Sequence, residues 1–145
     1  MTIQQARETN DLVQLVRYVY GDCNGYATRS LDFKSERIRD FGTLSEALRA
    51  IGKYNEFDPE KVLNALKQVW GDISDVQIAR ESSPAIYINL PYWDNQRIKG
   101  SDTAQARRLE YAEIDDIVTK AKKALDWALF DEFDVERNTI RVWWD

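Results

Sequence analysis

The chain is rich in carboxylates, guanidinium groups and indoles, and almost empty of sulfur and imidazole. It has no histidine and one cysteine, Cys23, in 145 residues. Without histidine, Ser–His and Cys–His nucleophile pairs, HExxH zinc sites and a near-neutral imidazole base are excluded. One cysteine excludes thiolate zinc clusters, CxxC redox pairs and an intrachain disulfide. Cys23 lies in Tyr20-Gly-Asp-Cys-Asn-Gly-Tyr26. A reactive thiolate there needs a neighbouring cation such as Arg17 or Arg29, and a small residue in a turn is the plainer reading. No glycine-rich phosphate loop of the GxxxxGK[ST] or GxGxxG type is present.

Two groups of carboxylates remain. Asp115 and Asp116 are adjacent, and Asp131, Glu132, Asp134 and Glu136 cluster near the C-terminus. Carboxylates of this kind serve acid–base catalysis or hold Mg²⁺ or Ca²⁺ through oxygen ligands. The first pair is read as opening a helix, where negative charge complements the macrodipole. The second group has no EF-hand spacing and no glycine at a ligand turn. Both are therefore read as negative surface, and no catalytic residue, cofactor or metal is assigned.

A basic and aromatic cluster comprises Tyr92, Trp93, Arg97, Lys99, Arg107 and Arg108. Such a segment grips a phosphate backbone and stacks bases, each stack contributing roughly 1–3 kcal/mol. Within residues 92–110, however, four basic side chains meet three acidic ones. Nucleic-acid or nucleotide binding is thus the second reading. The first rests on aromatics set off the apolar faces. At 100° per residue Trp127 falls outside the stripe of its helix, near Lys123 and Asp131. Trp143 opposes Ile140, Val142 and Trp144, while Tyr87 opposes Ile86 and Ile88, by the two-residue period of a strand. Tryptophan, tyrosine and arginine concentrate binding energy at protein interfaces.

Elements must position these groups. Leu12, Leu15, Val16 and Val19 give a helical stripe that begins near Thr9 or Asn10 and stops at Gly21. Residues 21–42 have poor periodicity and read as a connection. Thr43-Leu-Ser-Glu46 has the capping-box pattern and opens a second helix with Leu44, Ala47, Leu48 and Ile51 inward. Asp58 and Pro59 start a third, on which Val62, Leu66 and Val69 face one way. The period then becomes two: Val76 and Ile78, a Ser82-Ser83-Pro84 turn, and Ile86, Ile88 and Leu90 predict a hairpin. Residues 93–112 read as a loop, or a loop with a short helix. Ile114, Ile117, Val118, Ala121, Leu125, Ala128 and Leu129 predict a helix over about 113–130. The tail reads as a second hairpin turning near Arg137-Asn138. The expected fold is α+β: N-terminal helices, then an antiparallel sheet of about four strands in two hairpins with the long helix between them.

The chain has the commonest length of one domain, and the whole of 1–145 reads as one. It carries 20 Lys and Arg against 25 Asp and Glu, a net charge of −5. Such a surface repels nucleic acid and anionic lipid on average. No apolar run approaches the roughly 20 residues that span a bilayer, and the N-terminus has no secretory pattern. A cytoplasmic location is expected, whether in an ordinary cell or a phage-infected host. The preferred reading is a non-enzymatic protein-binding module whose partner surface is Trp127, Asp131, Glu132, Asp134 and Glu136, extended by Asp115 and Asp116. One form is an acidic inhibitor of a basic, nucleic-acid-handling protein, as immunity, anti-restriction and anti-CRISPR proteins are. A homo-oligomeric contact is another use for the same aromatics, and a small enzyme using carboxylates or Cys23 is the third reading.

Overall fold

The computed structural model describes residues 12–20, 32–91 and 103–145, the side chains of Tyr18 and of residues 103–111 excepted. Within them the chain is α+β, with four α-helices and a five-stranded antiparallel sheet. Helix α1 (Leu12–Tyr20) buries Leu15, Val16, Val19 and Tyr20. Strand β1 (Phe33–Lys34) is a two-residue piece within the segment read as a connection.

Helix α2 (Phe41–Ile51) starts two residues before the anticipated cap at Thr43. Asp40 is the N-cap instead. Its carboxylate accepts from the Thr43 N–H at 2.8 Å and from the Thr43 hydroxyl at 2.8 Å. The two hydrogen bonds hold the Asp40 carboxyl below its usual range. An aspartate in extended conformation is as good a cap as a threonine, and here it stands first in the chain. Helix α3 (Pro59–Val69) keeps the predicted start: Asp58 accepts from the Glu60 N–H at 3.0 Å, and Pro59 opens the first turn. A 3₁₀ turn, Trp70–Asp72, follows it.

Strands β2 (Asp75–Glu81) and β3 (Ser83–Asn89) form the first hairpin. Its turn is tighter than expected, because Ser82 alone makes it in the left-handed region (φ 63°) and Ser83 and Pro84 already belong to β3. Helix α4 (Thr103–Leu125) starts ten residues before the predicted position. Residues 104–110 lack an apolar stripe, but Ala, Gln, Arg, Leu and Glu are all strong helix formers. Asp115 and Asp116 therefore sit in mid-helix, and the macrodipole role expected for them is lost. At the other end α4 stops at Leu125, and a 3₁₀ turn, Asp126–Ala128, leads to Leu129 at φ 56°. Strands β4 (Glu132–Glu136) and β5 (Thr139–Trp143) make the second hairpin, turning at Arg137-Asn138 as read from the sequence.

The strand order is β1-β2-β3-β5-β4, so β4 is an edge. One sheet face carries Val76, Ile78, Ile86, Ile88, Ile140, Val142 and Trp144, all fully buried, in one cluster with Leu44, Leu48, Val62, Leu66 and Leu125 of the helices. Burying each such aliphatic side chain contributes about 1.5–3 kcal/mol. Trp144 locks the layers together: its ring meets Phe57 edge-on at 5.1 Å, and its indole N–H donates to the Ala128 carbonyl at 2.7 Å. Among the described residues no helix is long and apolar enough to cross a membrane.

Candidate functional site

The second face of the sheet is polar, because the strands alternate. The β-ladder aligns Gln77, Tyr87, Arg141 and Asp134 in one row across it, and Ala79, Ala85, Trp143 and Glu132 in the next. Its side-chain hydrogen bonds run within the sheet and to the Ser35–Arg37 segment. Arg141 is the hub. Its Nε donates to Glu81 Oε1 at 2.7 Å, and its Nη1 to Glu132 Oε2 at 2.7 Å and Asp134 Oδ2 at 3.0 Å. Burial works against the guanidinium charge, but the hydrogen bonds to Glu132 and Glu81 outweigh it and raise its pKa further. Three carboxylates thus share one guanidinium.

Aromatic groups join this network at Glu81. The Tyr87 hydroxyl donates to Glu81 Oε2 at 2.6 Å, and the Trp143 indole N–H donates to the Glu81 carbonyl at 2.9 Å. Burial, then the Glu81 hydrogen bond, pushes the Tyr87 phenol up to about 12. Lys34 Nζ stands 3.8 Å from the centre of the Tyr87 ring, a cation–π contact. At the far end of the face Asp75 is completely buried, and Asn89 Nδ2 at 2.7 Å, Ser74 Oγ at 3.2 Å and Arg37 Nη1 at 3.4 Å compensate its charge. The sheet face is a tied polar lattice. It offers half-buried Tyr87 and Trp143.

The edge next to it is different. Trp127, whose exposure the sequence left open, is 81% exposed and stands beyond the end of α4, in the 3₁₀ turn that leads into β4. Leu129, expected within the buried stripe, is 48% exposed, because the helix ends before it and its left-handed backbone turns it out. Val135 on β4 is 47% exposed, and Phe133 is half-buried against Phe130 at 5.3 Å between ring centres. The sequence reading put Leu129 in the core and assigned no role to Val135. The available signal was the alternation of Phe133 and Val135 with three acids.

The predicted acidic residues divide. Glu132, Asp134 and Glu136 project from one side of β4 and are exposed, though the first two bond Arg141. Asp131 ties the tail: its N–H donates to the Trp143 carbonyl at 2.9 Å, and its carboxylate accepts from the Asp145 N–H at 2.7 Å. Asp115 and Asp116 are exposed on α4, and the helical rise puts Asp115 about 10 Å from the level of Lys122. Lys122 in turn lies over the Phe133 ring at 5.8 Å. They extend the surface only along the helix.

Of the alternative cluster, Tyr92, Trp93, Arg97 and Lys99 lie outside the described residues, as does Cys23. Arg107 and Arg108 lie in the first turns of α4, and their side chains are outside the description. Among the described residues no three metal-ligating side chains converge on a common point. No protein-family model, curated protein or solved structure matches the chain.

Proposed function

We propose that this protein is a binding module for a basic protein partner, engaged at the β4 edge and the turn before it. The observation that carries the reading is Trp127, 81% exposed at the entrance to a strand whose outward side chains are Glu132, Asp134 and Glu136. An indole held in water by an ordered turn is the kind of anchor that supplies most of an interface's energy once a partner covers it. Acidic side chains around it steer a basic partner and raise the rate of encounter. An acidic inhibitor of a nucleic-acid-handling protein is one form of this function, with carboxylates set where the target receives phosphates.

The test is capture of partners on the immobilised chain from a lysate of its native or host cell, split with and without nuclease. Wild type is compared with Trp127→Ala and with a variant carrying Asn and Gln at Asp131, Glu132, Asp134 and Glu136. The reading predicts a protein that survives nuclease, leaves at raised salt and is lost from both variants. With that protein purified, the neutralised variant associates more slowly and with a flatter salt dependence, while Trp127→Ala dissociates faster. Recovery of nucleic acid alone, or equal capture by all three chains, contradicts it.

A further inference from the structure

We infer that the partner segment is an extended strand of alternating basic and apolar residues, which adds to the sheet beside β4. The inference rests on the function proposed above and specifies how it is carried out. Its basis is the backbone of the edge. β5 sends the Trp144 N–H to the Pro84 carbonyl of β3 at 3.0 Å. In an antiparallel ladder the backbone groups of alternate residues point to opposite neighbours, so those of Thr139, Arg141 and Trp143 point to β4. They pair there with Glu136, Asp134 and Glu132. Phe133 and Val135 consequently turn their N–H and C=O groups away from the sheet, and among the described residues no strand lies beyond them.

Side chains decide what such an edge accepts. On one side it presents Phe133 and Val135, the latter 47% exposed, and on the other Glu132, Asp134 and Glu136. An added strand sets its own alternate side chains against these two rows, at a spacing of about 7 Å along each row. A second copy of β4 is excluded by charge. Every register that keeps Phe133 and Val135 on the apolar side sets acids against acids, and like charges directly opposite are destabilising. A strand with Lys or Arg at every second position and Val, Ile or Leu between them meets both rows. Because Glu81, Glu132 and Asp134 share the single guanidinium of Arg141, an incoming cation finds carboxylate still to pair with.

The probe is a nine-residue peptide alternating Lys and Val, titrated into the full chain and followed by backbone amide NMR. Controls are the same composition in block order, Glu in place of Lys, and the alternating peptide N-methylated at every second residue. The inference predicts saturable binding of the alternating peptide alone, with the Phe133 and Val135 amides protected from exchange. N-methylation of the edge that faces β4 weakens it about tenfold or more, the loss of several backbone hydrogen bonds. Val135→Pro removes one outward donor while leaving the β5 ladder intact, and it weakens binding likewise; proline is tolerated at such edge positions. The N-methylated peptide leaves the protein unaltered and so decides the matter if that variant does not fold. Equal binding of the methylated and plain peptides, lost in Trp127→Ala, overturns strand addition but leaves the acidic protein-binding reading standing. Absence of saturable binding by the alternating peptide also overturns strand addition, and the capture experiment then judges the broader reading by itself.

Discussion

Arg141 shows how one residue serves both the fold and the surface. It joins β2, β4 and β5 through Glu81, Glu132 and Asp134, with 26% of its side chain exposed. Arg141→Ala leaves three carboxylates facing one another and is expected to destabilise the chain by about 2 kcal/mol in urea unfolding, discounted for partial exposure. Arg141→Lys recovers less than half, since one ammonium cannot span both sides of the cluster. Tyr87 gives a pH test. Its phenol is pushed up to about 12, so the folded chain keeps a proton that the unfolded chain releases near pH 10. Its contribution is complete below about pH 10 and disappears as pH rises toward about 12. Tyr87→Phe should flatten that part of the stability–pH curve. Tyr20, whose phenol burial also raises, contributes to the alkaline loss in the same direction. Trp127 is the opposite case: with 81% of its surface in water, Trp127→Ala should change stability by less than about 0.5 kcal/mol while impairing partner binding.

At the scale of elements, the turn between α4 and β4 is the point of interest. Leu129 occupies the left-handed region at φ 56° while 48% exposed, so it carries backbone strain that only half of a leucine's burial offsets. Leu129→Gly relieves that strain but gives up the buried half of the side chain. It is expected to leave stability, read from the thermal midpoint, within about 1 kcal/mol of wild type while weakening partner binding. Leu129→Asn, whose new side chain tolerates the left-handed region, should behave likewise. The strand faces were legible in the sequence because a period of two admits one assignment of Ile140, Val142 and Trp144 against Arg141 and Trp143. The position of Trp127 off the apolar stripe was legible, but its exposure was not, since α4 ends at Leu125 and a 3₁₀ turn carries the indole. The start of α4 was not, since residues 103–112 reach helix through propensity without a stripe. Neither was the cap at Asp40, where two capping residues compete within four positions. Strand order places β4 at an edge, and that depends on which hairpins meet in space. The importance of Phe133 and Val135 was hidden for that reason.

Over the molecule as a whole, the net charge is −5, and three of its carboxylates, Glu132, Asp134 and Glu136, stand on β4 beside exposed apolar surface. One sheet face packs against helices, and the other is tied by hydrogen bonds of its side chains within the sheet and to Ser35 and Arg37. Among the described residues, the β4 edge combines open backbone groups, a carboxylate row and the exposed Trp127, Leu129 and Val135. The functional account depends on a partner covering that edge. The most direct measurement is amide hydrogen exchange of the full chain, alone and saturated with the protein captured from the nuclease-treated lysate. The account predicts new protection concentrated in residues 127–136, with the helices unchanged. Protection confined to residues 92–108, or to the helix faces, with none in 127–136, would contradict it.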